Sequence, residues 1–221
     1  MIHKSTFDFL ENLAQNNQKT WFDANRTAYE AARKNIIAFA EAVIGGISAF
    51  DADIANAQLE PKSCISRINR DVRFSNDKSP YKTNFFMIIT AGGKKSNKAG
   101  YYLEIKPNNC FVGGGAYMPM PEDLQKFRQE IDYNFEEWKK MVEDSNFLRV
   151  FPEGVQAPEK LSRPPKGFEA ENPAVEYLKM KGFYTWRPVS DEDMMSEKGF
   201  ATLMEGCRES QKMIAFLNRA L

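Results

Sequence analysis

A ribbon of alternating residues constrains the fold of this chain more than any other feature. Tyr101–Lys106 and Cys110–Val112 flank Pro107-Asn108-Asn109, two strand-like runs joined by an Asn-rich turn, and this predicts an antiparallel hairpin. Tyr102, Glu104 and Lys106 share one face of its first arm. Upstream, Phe85–Ala91 (FFMIITA) predicts another strand, buried deeply enough to be nearly all apolar. The loop between them, GGKKSNKAG from Gly92 to Gly100, lacks the ending of a phosphate-cradling P-loop and reads as a solvated turn, although its three lysines could rim a site. Gly113-Gly114-Gly115 follows the second arm directly. Three glycines there predict either a bulge with a sharp exit or a place where a ligand meets bare backbone.

Helical patterns lie on either side of this ribbon. Ser5 with Asp8 resembles a capping box ahead of the stripe Phe7, Leu10, Leu13 and Ala14, and Asn16-Asn17-Gln18 ends that helix. Thr20 with Asp23 opens a longer helix in which Phe22, Tyr29, Ala32, Ile36, Ala40, Val43 and Ile47 recur as a core stripe, with Gly45-Gly46 loosening its last turn. Asp51-Ala52-Asp53 has the form of a metal-binding pair but no identified partner, and it reads as a helix-terminating loop. Lys62–Ile68 reads as a strand. Pro121-Glu122-Asp123 starts a helix, and Asn134 with Glu137 starts the next. After an irregular proline-rich tract from Phe151 to Asn172 come a helix at Pro173–Lys181, a strand at Phe183–Val189, and a last helical region opened by Ser190 with Asp193. This order predicts a single α+β domain over residues 1–221, with a mostly antiparallel sheet and helices packed against it.

Arg67–Phe86 (RINRDVRFSNDKSPYKTNFF) carries the densest chemistry. Alternation puts Ile68, Val72 and Phe74 on one face and Arg67, Asn69, Asp71, Arg73 and Ser75 on the other. Arg67 and Arg73 then flank Asp71, which suits bidentate pairing that leaves guanidinium donors free for an anion. The turn that follows holds Lys78 and Lys82 around Pro80, with Asp77 or Ser79 placed to bond nearby amides. The stretch is locally cationic in a chain whose formal net charge is zero. A second basic segment, LSRPPKGF, pins Arg163 and Lys166 beside two prolines.

Composition removes several classes of function. A chain of 221 residues, 43% hydrophobic and 27% charged, is ordinary for one globular domain with a real core. A pI near 6.6 argues against broad adhesion to nucleic acid or membranes. Neither a membrane-length apolar run nor a signal-like N-terminus is present, so the protein reads as cytoplasmic. Cys64, Cys110 and Cys207 are few and widely spaced, which predicts buried free thiols. His3 is the only histidine and sits at a terminus expected to be mobile, so chemistry would rest on carboxylate, lysine, tyrosine, arginine or a carboxylate-bound magnesium.

The run RDVRFSNDKSPYK from Arg70 to Lys82 resembles the signature of the uncharacterised family known as domain of unknown function 2461. FLENLAQNNQKTWFDANRTAYE, GGGAYMPMPEDLQKFRQEI and RPPKGFEAENPAVEYLKMKGF are similar to that family's pattern in the same order, over nearly the whole chain. The resemblance implies a single-domain cytoplasmic protein and lends no catalytic residues.

The residues leave three readings open. The first is a binding or enzymatic pocket for an anionic, phosphorylated small molecule or nucleotide. Arg67, Arg70, Arg73, Lys78, Lys82, Arg163 and Lys166 would be its cations, Tyr81 and Tyr102 its stacking or hydroxyl contacts, Asp77 a turn-forming neighbour, and Asp71 and Glu104 the carboxylates that orient arginines. Magnesium on those carboxylates would be the cofactor if the chemistry is phosphoryl transfer. The second reading is a nucleic-acid module in which Tyr81, Phe74 or Trp186 stacks on bases. The third is a structural or partner-binding domain whose arginines bind only its own aspartates.

Overall fold

A computed structural model describes residues 1–221. The first half is helical: α1 (Lys4–Gln15), α2 (Lys19–Ala24), α3 (Arg26–Ser48), α4 (Ala52–Asn56) and α5 (Pro61–Cys64). Strands β1 (Phe85–Ile89), β2 (Gly100–Ile105) and β3 (Cys110–Ala116) follow, then α6 (Pro121–Tyr133), α7 (Phe135–Val142), α8 (Ser145–Val150) and α9 (Val175–Leu178). Strand β4 (Phe183–Val189), α10 (Asp191–Met194) and α11 (Glu197–Asn218) complete the chain. The sheet is a four-stranded antiparallel meander in the order β1-β2-β3-β4, which with its helices makes an α+β fold.

Period-two alternation divides the sheet into two unlike faces. Phe85, Met87, Ile89, Tyr101, Leu103, Ile105, Cys110, Val112 and Gly114 point into one core of 47 buried residues. Helix α11 lies across β3 there, bringing Leu203, Cys207, Ile214 and Leu217 onto the sheet. Gly114 permits the close approach, because a Cβ at this position would stand 2.8 Å from Ile214 Cδ1 and 2.9 Å from Ser210 Cβ. At the same contact the Thr185 and Ser210 hydroxyls lie 3.1 Å apart and satisfy each other out of water. Beside it, the Tyr101 hydroxyl donates to Asp51 Oδ2 at 2.6 Å, and Asp51 Oδ1 caps α4 by accepting from Asp53 N and Ile54 N. Asp51 is therefore an N-cap rather than half of a cation pair.

Several local expectations change on folding. No side-chain cap starts α1, since Lys4 takes Asp8 as an i,i+4 partner and the helix begins after His3. The terminus is docked rather than mobile: Ile2 is buried, and the His3 N–H donates to Asn35 Oδ1 at 2.8 Å. The long second helix is broken at Asn25, whose Nδ2 donates to Trp21 O and so competes for a helical carbonyl. Gly45-Gly46 does not end α3; Gly46 makes room for Met204 of α11. Lys62–Ile68 forms a helical turn and then a single bridge, Ile65 to Met87, rather than a strand. The Pro-Asn-Asn hairpin, β4 and the Ser190 cap form as the sequence predicts.

All three cysteines are buried and unpaired. Burial raises each thiol, pushing Cys110 and Cys207 up to about 12. At pH 8 a maleimide should therefore modify none of them until denaturant is added, as read by intact mass. Prompt native-state labelling of any one would show that its shell opens on the time scale of the reaction.

Candidate functional site

The Arg70–Lys82 segment is an exposed loop closed by backbone bonds from Arg70 N to Pro80 O (2.9 Å) and from Lys82 N to Ile68 O (2.7 Å). Inside it most charges are spent on one another. Arg73 forks onto Asp71, Nε to Oδ1 at 2.9 Å and Nη2 to Oδ2 at 2.6 Å, and this bond holds the Asp71 carboxyl below its ordinary range. Arg70 pairs with Asp77, and Lys78 Nζ donates to Val72 O at 3.0 Å. Asp77 is held well below the usual carboxylate range, first by Ser79 and then by Arg70. Arg67 and Lys82 have no ionic partner; Lys82 lines a polar cleft of about 430 Å³ with Arg70, Asp77 and Asn84.

Of the two aromatics of this segment, Tyr81 borders that cleft and Phe74 does not. Tyr81 is 6% exposed and stacks on Phe22 with ring centroids 4.0 Å apart, so its ring packs α2 against the loop and little of it is left to the cleft. Phe74 does not join Ile68 on an apolar face; it stands 94% exposed at the loop tip, because the chain turns after Val72 and ends the alternation.

The two basic segments do not converge. Ile65 bridges Met87 on β1, so the Arg67–Lys82 loop flanks that edge of the sheet. Gln156 bridges Tyr184 on β4, so the proline-rich tract with exposed Arg163 and Lys166 flanks the other. Three strand spacings, about 14 Å, lie between those edges. The carboxylates separate as well. Glu104 accepts from Asn84 and touches no arginine, while Asp71 is taken by Arg73. No three carboxylate, histidine or cysteine side chains gather anywhere into a cation cage. A magnesium ion carried by a phosphorylated ligand would need only one or two protein ligands.

The face of the sheet turned away from the core brings the aromatic residues together. Strand register sets Ile88, Tyr102, Gly113 and Trp186 side by side across all four strands, with Phe86, Glu104, Phe111 and Pro188 in the next row. Phe86 lies nearly parallel to Tyr102 at 6.2 Å, Phe111 meets Trp186 edge-on at 6.2 Å, and Tyr117 meets Tyr184 at 5.1 Å. Together with Ile88 and Met118 these rings line a cleft of about 630 Å³. Gly113 stands between Tyr102 and Trp186 in the row and adds no side chain to it. The Tyr102 hydroxyl donates to Gly115 O at 2.9 Å, which fixes the ring, and burial raises its pKa.

Tyr102, Tyr117 and Met118 also line a second cleft of about 230 Å³, whose other wall is the β1–β2 loop with Lys95, Ser96 and Lys98. An aromatic cleft thus opens beside a lysine-bearing loop. Of the residues expected at a phosphorylated-ligand pocket, Tyr102 alone lines these clefts; Trp186, expected to stack on bases, and Lys95 and Lys98 of the loop expected to rim a site line them too. The rest of the lining was readable as a period-two pattern of aromatics, Phe86, Tyr102, Phe111, and Tyr184 with Trp186, on the face opposite the core residues.

The fold and this cleft define a class: an α+β protein with one sheet face sealed by helices and the other left as an aromatic, lysine-flanked depression. The chain belongs to the family described as conserved hypothetical protein (DUF2461), whose model matches residues 5–216. No curated protein and no solved structure matches it.

Proposed function

We propose that the open face of the sheet binds a nucleotide or similar phosphorylated small molecule, its planar ring against Trp186 and Phe111 and its phosphate toward Lys95 and Lys98. The observation that carries this reading is the junction of the two clefts at Tyr102, Tyr117 and Met118. A volume of about 630 Å³ lies in the ordinary range for small-ligand sites, and a mostly apolar wall with a few charged groups at one end is their usual chemistry. This moves the cationic part of the site from the Arg67–Lys82 loop, whose two acids take Arg70 and Arg73, to the β1–β2 loop, which lies against the aromatic cleft. Buried free thiols and a phosphorylated ligand suit a cytoplasmic protein.

Calorimetric titration with nucleoside mono- and triphosphates tests the reading. Stacking on one aromatic side chain is worth about 1–3 kcal/mol, so Trp186→Ala should weaken binding roughly 5- to 150-fold. Lys95→Ala with Lys98→Ala should weaken nucleotides but leave the nucleoside unaffected. If no nucleotide binds the wild-type protein, the reading is wrong. The continuity of the two clefts favours single-stranded nucleic acid as the second reading. That ligand would show a steep loss of affinity with salt, whereas a mononucleotide making one or two phosphate contacts would not.

A further inference from the structure

Arg128 on α6 is the one buried cation the fold leaves without a counter-charge. It is 7% exposed, and Nη2 donates to Met180 O at 3.0 Å. Its Nε is cut off from solvent with no acceptor. Of the four acids of its own helix, Asp123 faces Lys126 at 3.6 Å, Glu130 takes Arg219 at 2.9 Å, Asp132 accepts from Asn172 at 2.5 Å, and Glu122 stands exposed in the first turn, six residues away. No acid acts on the guanidinium, and burial alone lowers its pKa. A guanidinium stays charged in proteins, so it cannot escape the cost of burial by losing its proton. Native interiors pair such charges, because an isolated buried ion costs several kcal/mol.

Beside Met180 the nearest lysines are paired, Lys179 with Glu176 and Lys181 with Glu159, and the cations of the Leu161–Gly167 turn are not. Met180, whose carbonyl takes the one guanidinium bond, bridges Lys160, and Leu161 N donates to Lys179 O at 2.8 Å. From there the chain turns through Ser162, Arg163, Pro164, Pro165, Lys166 and Gly167, where Gly167 adopts φ +94°. Arg163 follows Lys160 by three residues, so its Cα lies within about 10 Å of that bridge. Lys160, Arg163 and Lys166 are exposed; Lys160 acts on Glu176 across space, while Arg163 and Lys166 form no ion pair. The prolines restrict this turn and lower the entropy cost of ordering its cations.

We propose that Arg128 anchors an oxyanion site, roofed by the Leu161–Gly167 turn, that takes a phosphate, sulfate or carboxylate group with Arg163 and Lys166 at its mouth. The guanidinium supplies a planar fork of donors matched to such a group, and the anion supplies the missing charge. The site is independent of the sheet-face reading, since it uses no residue of the aromatic cleft.

The test is thermal melting in chloride, phosphate, sulfate or acetate at constant ionic strength. At about a hundred times its dissociation constant, a bound anion should raise the wild-type midpoint by roughly 5 to 11 °C above chloride. Phosphate and sulfate acting without acetate would point to a phosphorylated ligand; acetate acting as well would point to a carboxylate. Arg128→Met conserves volume and removes the charge. It should melt no lower than wild type in chloride and lose the anion-dependent rise, while Arg128→Lys keeps part of it and Trp186→Ala keeps all of it. Arg163→Ala with Lys166→Ala, on an exposed turn, should shift the anion concentration required several-fold upward without altering the midpoint in chloride. The proposal is overturned if no anion raises the wild-type midpoint, if the rise persists in Arg128→Met, or if Arg128→Met melts far below wild type in chloride, which would mean the protein itself compensates the charge.

Discussion

Trp138→Ala should lower the unfolding free energy by about 3–5 kcal/mol and the melting midpoint by roughly 6 to 20 °C. Trp138 is 0% exposed and is the largest fully buried side chain in the molecule. Its ring lies 5.5 Å from Tyr177, 5.8 Å from Phe183 and 5.2 Å from Phe216, so one side chain joins α7 to α9, to the start of β4 and to α11. Truncation loses the transfer energy of the indole and leaves a cavity bounded by three rings already fixed by other contacts. Trp138→Phe separates packing from polarity. The indole N–H is buried without an acceptor, so phenylalanine removes an unsatisfied donor along with part of the volume. Its cost should stay below about 2 kcal/mol. Equal losses for Ala and Phe, measured by chemical denaturation, would show that the N–H is bonded in solution and that its bond, not the ring contacts, carries the stability.

Gly113→Ala should cost about 3 kcal/mol or more, an unusually large effect for one added methyl. The new Cβ would stand 1.9 Å from Thr185 O and 3.0 Å from Trp186 Cα, both backbone atoms of the neighbouring strand. A flexible side chain could move aside, but a backbone carbonyl held in the β3–β4 ladder cannot without separating the strands. Gly45→Ala is the matched control. Nothing lies within 4 Å of a Cβ there, the position is helical, and the change should be neutral or stabilising by up to about 1 kcal/mol. If Gly113→Ala melts within a degree of wild type, the two strands are not held as closely as the carbonyl contact requires.

Much of the fold could be read from the residues, because its signals are local. The Pro107-Asn108-Asn109 turn, the Ser190 cap and the 3.6-residue stripe of α11 each depend on neighbours a few positions away. The failures have specific causes. FFMIITA reads as a strand sealed on both sides because Phe86 and Ile88 are apolar, yet that side faces a cleft rather than a core. Composition cannot separate an aromatic that fills an interior from one that lines a depression. Tyr81 reads as a stacking or hydroxyl contact for a ligand, but Phe22, 59 positions earlier in the chain, takes one face of its ring. The Arg73–Asp71 pair was legible from alternation, but Asp77 reads there only as a turn former, and only the closed loop shows that it takes Arg70 and that Arg67 does not join Asp71. Arg128 shares the helical stripe of Leu124, Phe127 and Ile131, so its burial was legible from spacing, but nothing local shows that no acid reaches it.

The meander places each strand beside its neighbour in sequence, yet residues 117–182 separate β3 from β4. During translation the first three strands can pair as soon as they leave the ribosome, while the Gly-rich edge of β3 waits for its partner. At about 5–20 residues per second that wait lasts on the order of several seconds. Throughout it, Val112 and the glycines beside it present unpaired amides and carbonyls with no helix α11 to cover them. The nascent chain therefore offers a sticky edge that the finished protein lacks, and its yield in a cell should depend on chaperone capacity more than its final stability would suggest.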